Sequence, residues 1–493
     1  MVVRNSMYNL GVQVVIKLVS FGFMIFVIRQ LGATEFGKYS TAAAFVAILM
    51  VLADMGIGSY ISREIAQDES KAEFLLGNMI ALRLTLSTGF IVVTTALALL
   101  TGYNADLVLG IFMISSSQLL FAVQSSVDAV FLGTQRLGAV ALAGLVNQLI
   151  LVGSGVLILL LGYGFLGLIV ASLLGNAMAC LLNIWNFRRS GKRIRLLFYF
   201  GYWPGLLKRS LPFGINQLAL SFTYKLDSLM LGWFGTLAVV GMYNTAYNLI
   251  FTLSTLSNSI NLALFPHMTR QFTRNPVAAR RNFGNYLRYL LLLSLPMAVI
   301  GSILAEPLAH FLFSRAYTQS GLALKILAWA LPLMFLNELL GYIGATLHME
   351  KSIAQLRLVL AGSNLGMNLV AIPLFGIAGA STTTVLTEAI GIGLFIYLFR
   401  NEAIFPASPA WLVRPGLAAA AAGAGAFACH DWPVWLSGPL ALVVYTGSLL
   451  ATGAIKPAEF KVLAGAFARR KDTGPVEPES ADLVMAYPKP ELN

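Results

Sequence analysis

Long apolar runs that contain few charged residues recur along almost the whole chain. Each run has about 20 residues or more, the length that an α-helix needs to cross the hydrocarbon core of a bilayer. The runs are continuously apolar rather than alternating, which excludes a transmembrane β-barrel. We therefore predict an all-α polytopic membrane protein with about fourteen spanning helices. The predicted spans cover residues 7–31, 39–62, 77–101, 107–133, 139–161, 165–187, 210–234, 237–266, 283–305, 322–348, 353–373, 376–399, 410–429 and 433–453.

Composition and charge agree with a membrane protein. Of the 493 residues only 11% are charged, against about 25% in soluble domains. With the N-terminus in the cytoplasm, 23 of the 33 Lys and Arg residues fall in cytoplasmic segments, and only Lys38 and Arg315 fall outside. This asymmetry is the positive-inside pattern, so both termini are predicted to be cytoplasmic. Anionic membrane lipids are the expected partners of these cations, and no nucleic-acid partner is expected.

Short motifs repeat at a nearly constant distance and predict an internal duplication. The pattern Gly-x-Tyr-x-Thr-Ala occurs at 37–42 and again at 241–246, which is 204 residues later. Two further matches follow in the same order, with offsets of 207 and 212 residues. They are Gly77-Asn78 with Gly284-Asn285, and Gly164-Phe165-Leu166-Gly167 with Gly376-Ile377-Ala378-Gly379. Because six is an even number of spans, two six-helix repeats would insert in the same orientation.

The duplication divides the chain into five segments. Residues 1–187 form the predicted N-lobe with helices 1–6, and residues 210–400 form the C-lobe with helices 7–12. Residues 188–209 form a basic, amphipathic cytoplasmic linker, whose mixture of cations and aromatic residues suits a helix at the membrane surface. Residues 401–455 contain helices 13 and 14. Residues 456–493 form a cytoplasmic tail that is predicted to be disordered.

Catalytic, cofactor and metal motifs are largely missing. Residues 32–38 match the start of a phosphate-binding P-loop, but Tyr39 stands where Ser or Thr is required and no strand precedes the motif. The four histidines are scattered, and both cysteines fall inside predicted spans. We expect no cofactor, no metal site and no enzyme activity. A membrane-embedded glycosyl or acyl transferase is the alternative from another class, and it would be expected to show a long loop or a cluster of acidic and His residues.

Six ionisable residues lie near the middle of predicted spans. Each would cost about 2.5–3.5 kcal/mol at the helix centre, so they are expected to face protein or water rather than lipid. They are Lys17, Asp54, Lys225, Asp227, Glu338 and Glu388.

Polar residues also recur at helical spacing. Asn9, Gln13, Lys17 and Ser20 form one polar face of the first span. Two other spans carry comparable stripes, and together the stripes predict a water-filled cavity between the two halves. The second stripe contains Gln217, Ser221, Tyr224 and Asp227, and the third contains Thr245, Asn248, Thr252, Thr255 and Ser259.

Short motifs in both halves of the chain form a recognisable series. They are Arg29-Gln30-Leu31-Gly32, Phe36-Gly37-Lys38-Tyr39, Ala53-Asp54-Met55-Gly56 and Ser62-Arg63-Glu64, and in the second half Asp227, Leu231-Gly232 and Gly241-Met242-Tyr243. They resemble the motifs of polysaccharide transporters, the O-antigen-type flippases of the multidrug/oligosaccharidyl-lipid/polysaccharide (MOP) exporter superfamily. The resemblance covers about residues 5–400.

The resemblance implies a V-shaped pair of six-helix lobes in a bacterial cytoplasmic membrane. It also implies that an undecaprenyl-diphosphate-linked oligosaccharide moves from the cytoplasmic to the outer leaflet, with a polysaccharide polymerase and glycosyltransferases as possible partners. The first span lacks the Arg-Asp pair that is typical of lipid II flippases, which weakens a peptidoglycan role. Multidrug antiporters of the same superfamily are the rival, although their cargo is often cationic.

For a flippase, the basic residues predict a patch that receives the diphosphate. The candidate residues that contact the substrate are Lys17, Arg83, Lys225 and Arg288, with Gln13 and Asn248 beside them and Tyr224 and Tyr247 as aromatic residues facing the sugars. A structural ion pair between Lys17 and Asp54 is the alternative for Lys17. Candidates for coupling transport to a proton or sodium gradient are Asp54, Asp227 and Glu338, and a structural ion pair is again the alternative.

Overall fold

The structure is a computed structural model, and it describes residues 2–189, 191, 194–314, 317–402, 404–405 and 410–455. Its regular secondary structure is helical throughout this part of the chain, which confirms the all-α fold class. The first group of helices is α1 (Val2–Leu49), α2 (Val51–Asp54), α3 (Ile57–Gln67), α4 (Ala72–Leu100), α5 (Ala105–Gly133), α6 (Leu137–Leu160) and α7 (Gly164–Arg189). The second group is α8 (Trp203–Phe234), α9 (Leu237–Arg274), α10 (Pro276–Ile303), α11 (Ala305–Phe313), α12 (Thr318–Leu327), α13 (Ala330–Thr346), α14 (Glu350–Leu398), α15 (Ala410–Ala428) and α16 (Val434–Ala451).

Each predicted span overlaps one or more of these helices. The two longest helices, α1 and α14, are each interrupted by a glycine, Gly32 (φ 72°) and Gly376 (φ 53°). Glycine adopts positive φ without a steric penalty. The break in α14 separates the predicted spans 353–373 and 376–399, and the break in α1 separates the first span from the start of the second. In the described residues nine helices are long and apolar enough to cross a membrane, or ten if the bent pair α12–α13 is one span. The number fourteen and the division into lobes stay predictions.

The second predicted span is broken in its middle. α2 ends at Asp54, and α3 begins at Ile57. Between them Met55 has a φ of 49° and Gly56 a φ of 71°. A non-glycine residue at positive φ is strained. At the same point a Cβ on Gly56 would lie 2.5 Å from the backbone nitrogen of Gly214 in α8. The break is therefore packed directly against the second half of the chain.

The two copies of the Gly-x-Tyr-x-Thr-Ala motif pack against each other where α1 crosses α9. A Cβ on Gly37 would overlap the carbonyl oxygen of Leu237, and a Cβ on Gly241 would overlap that of Ala33. The contact is reciprocal, since both pairs of equivalent residues are 204 positions apart. Only glycine permits this close approach of two helix backbones.

The linker between the halves differs from the prediction. Residues 194–199 form no helix. The N–H of Leu197 donates to the carbonyl of Gly77 (3.3 Å), and the N–H of Tyr199 donates to Oδ1 of Asn78 (3.2 Å). The expected surface helix is wrong for this stretch, because its backbone groups bond to α4 rather than to one another.

The last two helices pack as a pair against α10. The hydroxyl of Tyr445 donates to the carbonyl of Leu292 (2.6 Å), and small residues such as Ala418 and Ala422 are fully buried in the contact. Many large apolar residues are exposed on the outside of the bundle, for example Leu100 (83%) and Phe375 (67%). Such a surface suits contact with lipid rather than water. The predicted tail, 456–493, lies outside the described residues.

Candidate functional site

Two lysines from the two halves of the chain line one cavity, which we call the lysine cavity. Its volume is about 450 Å³. Lys17 reaches it from α1 and Lys225 from α8, and Asn248 of α9 lies beside them. Nζ of Lys17 lies 3.4 Å from Oγ of Ser259. Among the described residues that line the cavity there is no Asp or Glu, and the remaining polar groups are hydroxyls and amides. The cavity therefore suits an anion.

Lys17 and Lys225 belong to two sets of polar residues that have the same spacing along the chain. Asn9, Gln13, Lys17 and Ser20 correspond, each 208 residues later, to Gln217, Ser221, Lys225 and Ser228. The polar stripe predicted for this span contains Tyr224 and Asp227 instead of Lys225. The constant offset of 208 relates the two lysines, but it differs from the offset of 204 at the next motif, residues 37–42. The side chain of Gln13 lies outside the described residues.

Arg83 is separated from the lysine cavity and paired with a carboxylate. Its guanidinium makes an ion pair with Asp54 and donates to Oγ of Ser125 (2.8 Å). The other carboxylate oxygen of Asp54 accepts the N–H of Gly56 (3.2 Å) at the break of the second span. The alternative for Lys17, an ion pair with Asp54, does not occur in this structure, because the helices instead bring Arg83 of α4 to that carboxylate.

This ion pair lines a second cavity of about 440 Å³, which Gln217 and Ser221 of α8 also line. Asp128 lines the same cavity, and its carboxylate accepts a hydrogen bond from Asn183 (2.8 Å). With two carboxylates and one guanidinium, the lining is unfavourable for a diphosphate. Arg83 therefore does not form one patch with Lys17 in this conformation.

A third cavity, of about 360 Å³, lies in the second half and is acidic. Glu338 accepts a hydrogen bond from Asn258 (2.6 Å), and Glu388 accepts one from Asn337 (2.6 Å). Arg357 and Tyr224 also line it. Tyr224 thus faces two carboxylates rather than the lysines, which differs from its expected place next to a substrate anion.

Asp227 is buried in a cluster of neutral hydrogen-bond donors and is only 2% exposed. Its carboxylate accepts hydrogen bonds from Tyr243 (2.8 Å), Asn368 (2.6 Å) and Thr384 (2.9 Å). Among the described residues no Lys, Arg or His forms a salt bridge with it. The cluster continues from Asn368 to Asn364 (3.0 Å). The sequence identified Asp227 but none of the three donors, which come from α9 and α14.

Two of the predicted substrate residues are placed away from the lysine cavity. Tyr247 is 3% exposed, and its ring stacks between those of Tyr243 and Phe251. It is therefore buried rather than exposed to a sugar. The guanidinium of Arg288 lies 5.3 Å from the ring centroid of Tyr289, and Arg288 does not line the lysine cavity.

The described residues form an all-helical bundle with polar cavities, and comparison with known proteins places the chain among membrane transporters rather than enzymes. Residues 2–272, more than half of the chain, match the family described as "Polysaccharide biosynthesis protein". The chain belongs to this family, in the polysaccharide-flippase branch of the MOP superfamily. Residues 212–351 also match the MatE family.

Curated relatives and solved structures agree with that family. The chain is 23% identical over 387 residues to the "Probable low-salt glycan biosynthesis flippase Agl15" of Haloferax volcanii, which covers 76% of this chain and 79% of Agl15. It is 25% identical over 408 residues to the "Probable flippase AglR" of the same organism, covering 79% and 81%.

Two solved structures share the fold at low sequence identity. The lipid II flippase MurJ, in an inward closed conformation, superposes with a TM-score of 0.72 at 12% identity, covering 92% of this chain and 100% of MurJ. An inward-facing multidrug MATE transporter superposes with a TM-score of 0.62 at 16% identity, covering 78% and 94%.

Proposed function

We propose that the protein is a flippase that moves an undecaprenyl-diphosphate-linked oligosaccharide from the cytoplasmic to the outer leaflet of a bacterial cytoplasmic membrane. Its curated relatives are themselves described as probable flippases, one of them for glycan biosynthesis. The observation that carries the proposal is the lysine cavity, where Lys17 and Lys225 face the same space and no described lining residue is a carboxylate.

The lysine cavity addresses the main energetic problem of such a reaction. An isolated anion in a low-dielectric region costs tens of kcal/mol by Born solvation, so a diphosphate must be paired or hydrated as it crosses. Two ammonium groups offset part of that cost, and the surrounding hydroxyl and amide groups can replace water as hydrogen-bond partners. Because one lysine comes from each repeat, the headgroup would contact both halves of the molecule at once.

Alternating access accounts for the second requirement, which is that the route is never open on both sides. In the predicted topology the crossing of Gly37 and Gly241 lies on the outer side of the lysine cavity. In the proposed scheme this crossing closes the outer route, which the close approach of the two helix backbones supports. Delivery to the outer leaflet would then require α1 and α9 to separate at these glycines. Both termini remain in the cytoplasm in this scheme.

We further propose that Asp227 couples transport to a proton or sodium gradient. Its three partners are neutral donors, so its charge can be balanced by a bound cation or by a proton. Asp54 is the weaker candidate because Arg83 already balances it. Glu338 faces the acidic cavity and remains a second candidate.

The acidic cavity favours one alternative, a multidrug antiporter with a cationic cargo. Glu338 and Glu388 both line it, and the match to the MatE family includes Glu338. The two functions differ in the charge of the cargo. A flippase depends on Lys17 and Lys225, whereas an antiporter of cations depends on Glu338 and Glu388.

Flipping of the cell's own lipid-linked oligosaccharide in a deletion strain tests the proposal. Lys17→Met and Lys225→Met should each leave the oligosaccharide trapped in the cytoplasmic leaflet, with the folded protein still present in the membrane. Lys71→Met is the matched control, because this exposed lysine pairs with Asp68 outside the spans. Normal flipping in the Lys17→Met, Lys225→Met double variant would refute the proposed function.

A further inference from the structure

A large cavity, which we call the outer cavity, lies on the flank of the second half, against the last two helices. Its volume is about 1,020 Å³, more than twice the 450 Å³ of the lysine cavity. Residues of α11 and α12 form one wall, and the turn between α15 and α16 forms the other. The predicted topology places this turn and the start of α11 on the outer side of the membrane.

The wall formed by the turn combines exposed aromatic faces with a fixed polar pair. Trp432 and Trp435 are 52% and 63% exposed. The ring of His430 stacks on Phe427, with centroids 5.5 Å apart and an interplanar angle of 15°. Nε2 of His430 lies 3.1 Å from the carboxylate of Asp431. These contacts hold the imidazole in one orientation.

The opposite wall adds hydrogen-bonding groups of both kinds. Glu306 and Lys325 are both exposed and both line the cavity. His310 lies next to them, and its Nε2 is buried without a hydrogen-bond partner among the described residues. The two walls together offer acceptors, donors and flat apolar surfaces within one space.

This combination of side chains selects among possible occupants. Tryptophan alone is common where a membrane protein meets the interface, but such an anchor needs no facing carboxylate, ammonium and imidazole. A lipid tail would leave these groups without partners. Glu306 and Asp431 disfavour a polyanion. A saccharide matches the walls, because its hydroxyls both donate and accept hydrogen bonds and its apolar face packs on aromatic rings.

We infer that the outer cavity binds the saccharide part of the transported lipid after it has reached the outer leaflet. This inference rests on the proposed function, since it assumes a lipid-linked oligosaccharide as the cargo. A saccharide held in this cavity is separated from the lysine cavity. Its binding therefore favours the delivered state over return to the cytoplasmic leaflet.

Binding of a phosphate-free oligosaccharide tests this inference directly. The probe is the water-soluble oligosaccharide that mild acid releases from the lipid-linked pool of the host cell. It is titrated by calorimetry into the purified full-length protein in nanodiscs, with protein-free nanodiscs as the blank. Trp432→Ala and Glu306→Gln should each raise the dissociation constant at least tenfold.

Trp185→Ala is the matched control. Trp185 is 53% exposed, close to the value for Trp432, but it lies at the other end of the predicted membrane, beside Arg189. Its replacement should leave the dissociation constant unchanged. The inference is overturned if the wild-type protein does not bind the probe at millimolar concentration, or if Trp432→Ala binds it as tightly as the wild type does.

Failure of this inference can be distinguished from failure of the proposed function. The lysine variants are read by flipping in cells, whereas the Trp432 and Glu306 variants are read by oligosaccharide binding to purified protein. Unimpaired flipping in the lysine variants would contradict the proposed function, and the measured binding of the oligosaccharide would remain valid. If those variants lose flipping but Trp432→Ala binds the oligosaccharide as tightly as the wild type does, only the inference about the outer cavity is contradicted.

Discussion

Asp54 and Asp227 are both carboxylates inside predicted spans, but they are held by different kinds of partner. Asp54 forms an ion pair with Arg83 and also accepts the N–H of Gly56. Asp227 accepts three hydrogen bonds from neutral donors, and no salt bridge to it occurs among the described residues. A carboxylate that is already paired with a cationic side chain does not require an ion or a proton from solution to balance its charge. A buried carboxylate without one is expected to take a cation or a proton.

The same difference separates a structural role from a transport role. The ion pair of Asp54 and Arg83 joins α4 to the break in the second span, where Met55 has a positive φ. It therefore stabilises an unusual backbone conformation. Asp227 connects α8 to α9 and α14 through its hydrogen bonds. A change in its charge would therefore alter the contacts among three helices of the second half.

The largest expected effect comes from Asp227→Asn, which keeps the shape of the side chain and removes its charge. The ratio of the transport rates with and without the imposed gradient should fall by about 5–150-fold, which corresponds to the usual coupling free energy of about 1–3 kcal/mol. Flipping in proteoliposomes with and without a sodium or pH gradient measures this. Asp54→Asn serves as the control, and equal loss of gradient dependence in both variants would remove the distinction.

Arg83→Met should destabilise the protein, because it leaves Asp54 without its cation. Breaking a buried ion pair costs about 3–5 kcal/mol. The side chain of Asp54 is 26% exposed, so we expect the lower part of that range. Thermal unfolding of the purified protein measures the loss.

The double variant Arg83→Met, Asp54→Asn should recover most of this stability, since no charge is left unpaired. A double variant that is as unstable as Arg83→Met would argue against the structural role of the pair.

A smaller effect is expected from Tyr243→Phe, which removes one donor from Asp227. One hydrogen bond to a charged group contributes about 1.5–3 kcal/mol. The half-saturating concentration of the coupling ion should therefore shift by about tenfold, since 1.4 kcal/mol corresponds to a factor of ten. Tyr247→Phe is the matched control, because Tyr247 stacks on Tyr243 and is not among the three donors to Asp227. Because the hydroxyl donates to the ionised carboxylate and stabilises it, its loss should favour the ion-bound state and lower the half-saturating concentration.

The smallest effect is expected from Asp128→Asn. Asp128 also has a neutral partner, Asn183, but its side chain lines the cavity that contains Arg83. Water and this guanidinium can balance its charge, so gradient dependence should change less than twofold. If Asp128→Asn reduced gradient dependence as much as Asp227→Asn does, a neutral hydrogen-bond partner would be sufficient for coupling and burial of the carboxylate would not be required.

The positions of the helices could be predicted from the sequence because apolar runs record contact with lipid residue by residue. The glycine motifs at 37–42 and 241–246 were also visible, since a close helix crossing requires the same residue in both copies. The side chains that pair with a given ionisable residue could not be predicted from the sequence in the same way. Whether Asp54 meets Lys17 or Arg83 depends on how far each helix is rotated and shifted along its axis, and an apolar run does not determine either quantity.

Sites that combine distant segments were the hardest to predict. Asn368 and Thr384 lie 141 and 157 positions from Asp227, and polar residues of their type also serve ordinary helix packing. Lys225 was recognised as a mid-span cation but not as part of a polar set with the same spacing as that of Lys17. The relevant information was present as an offset of 208 residues, which becomes meaningful only when both side chains are seen in one cavity.

The reciprocal contact of Gly37 and Gly241 bears on how a duplicated chain of this kind could arise. In a two-fold symmetric homodimer, a residue on the axis meets its own copy, so one substitution changes both sides of the interface together. Gly37 faces Gly241, and the neighbours that constrain them, Leu237 and Ala33, are exchanged in the same manner. This is the geometry expected if the ancestor was a single six-helix protein that paired with itself, with one glycine sufficient to let the two copies close.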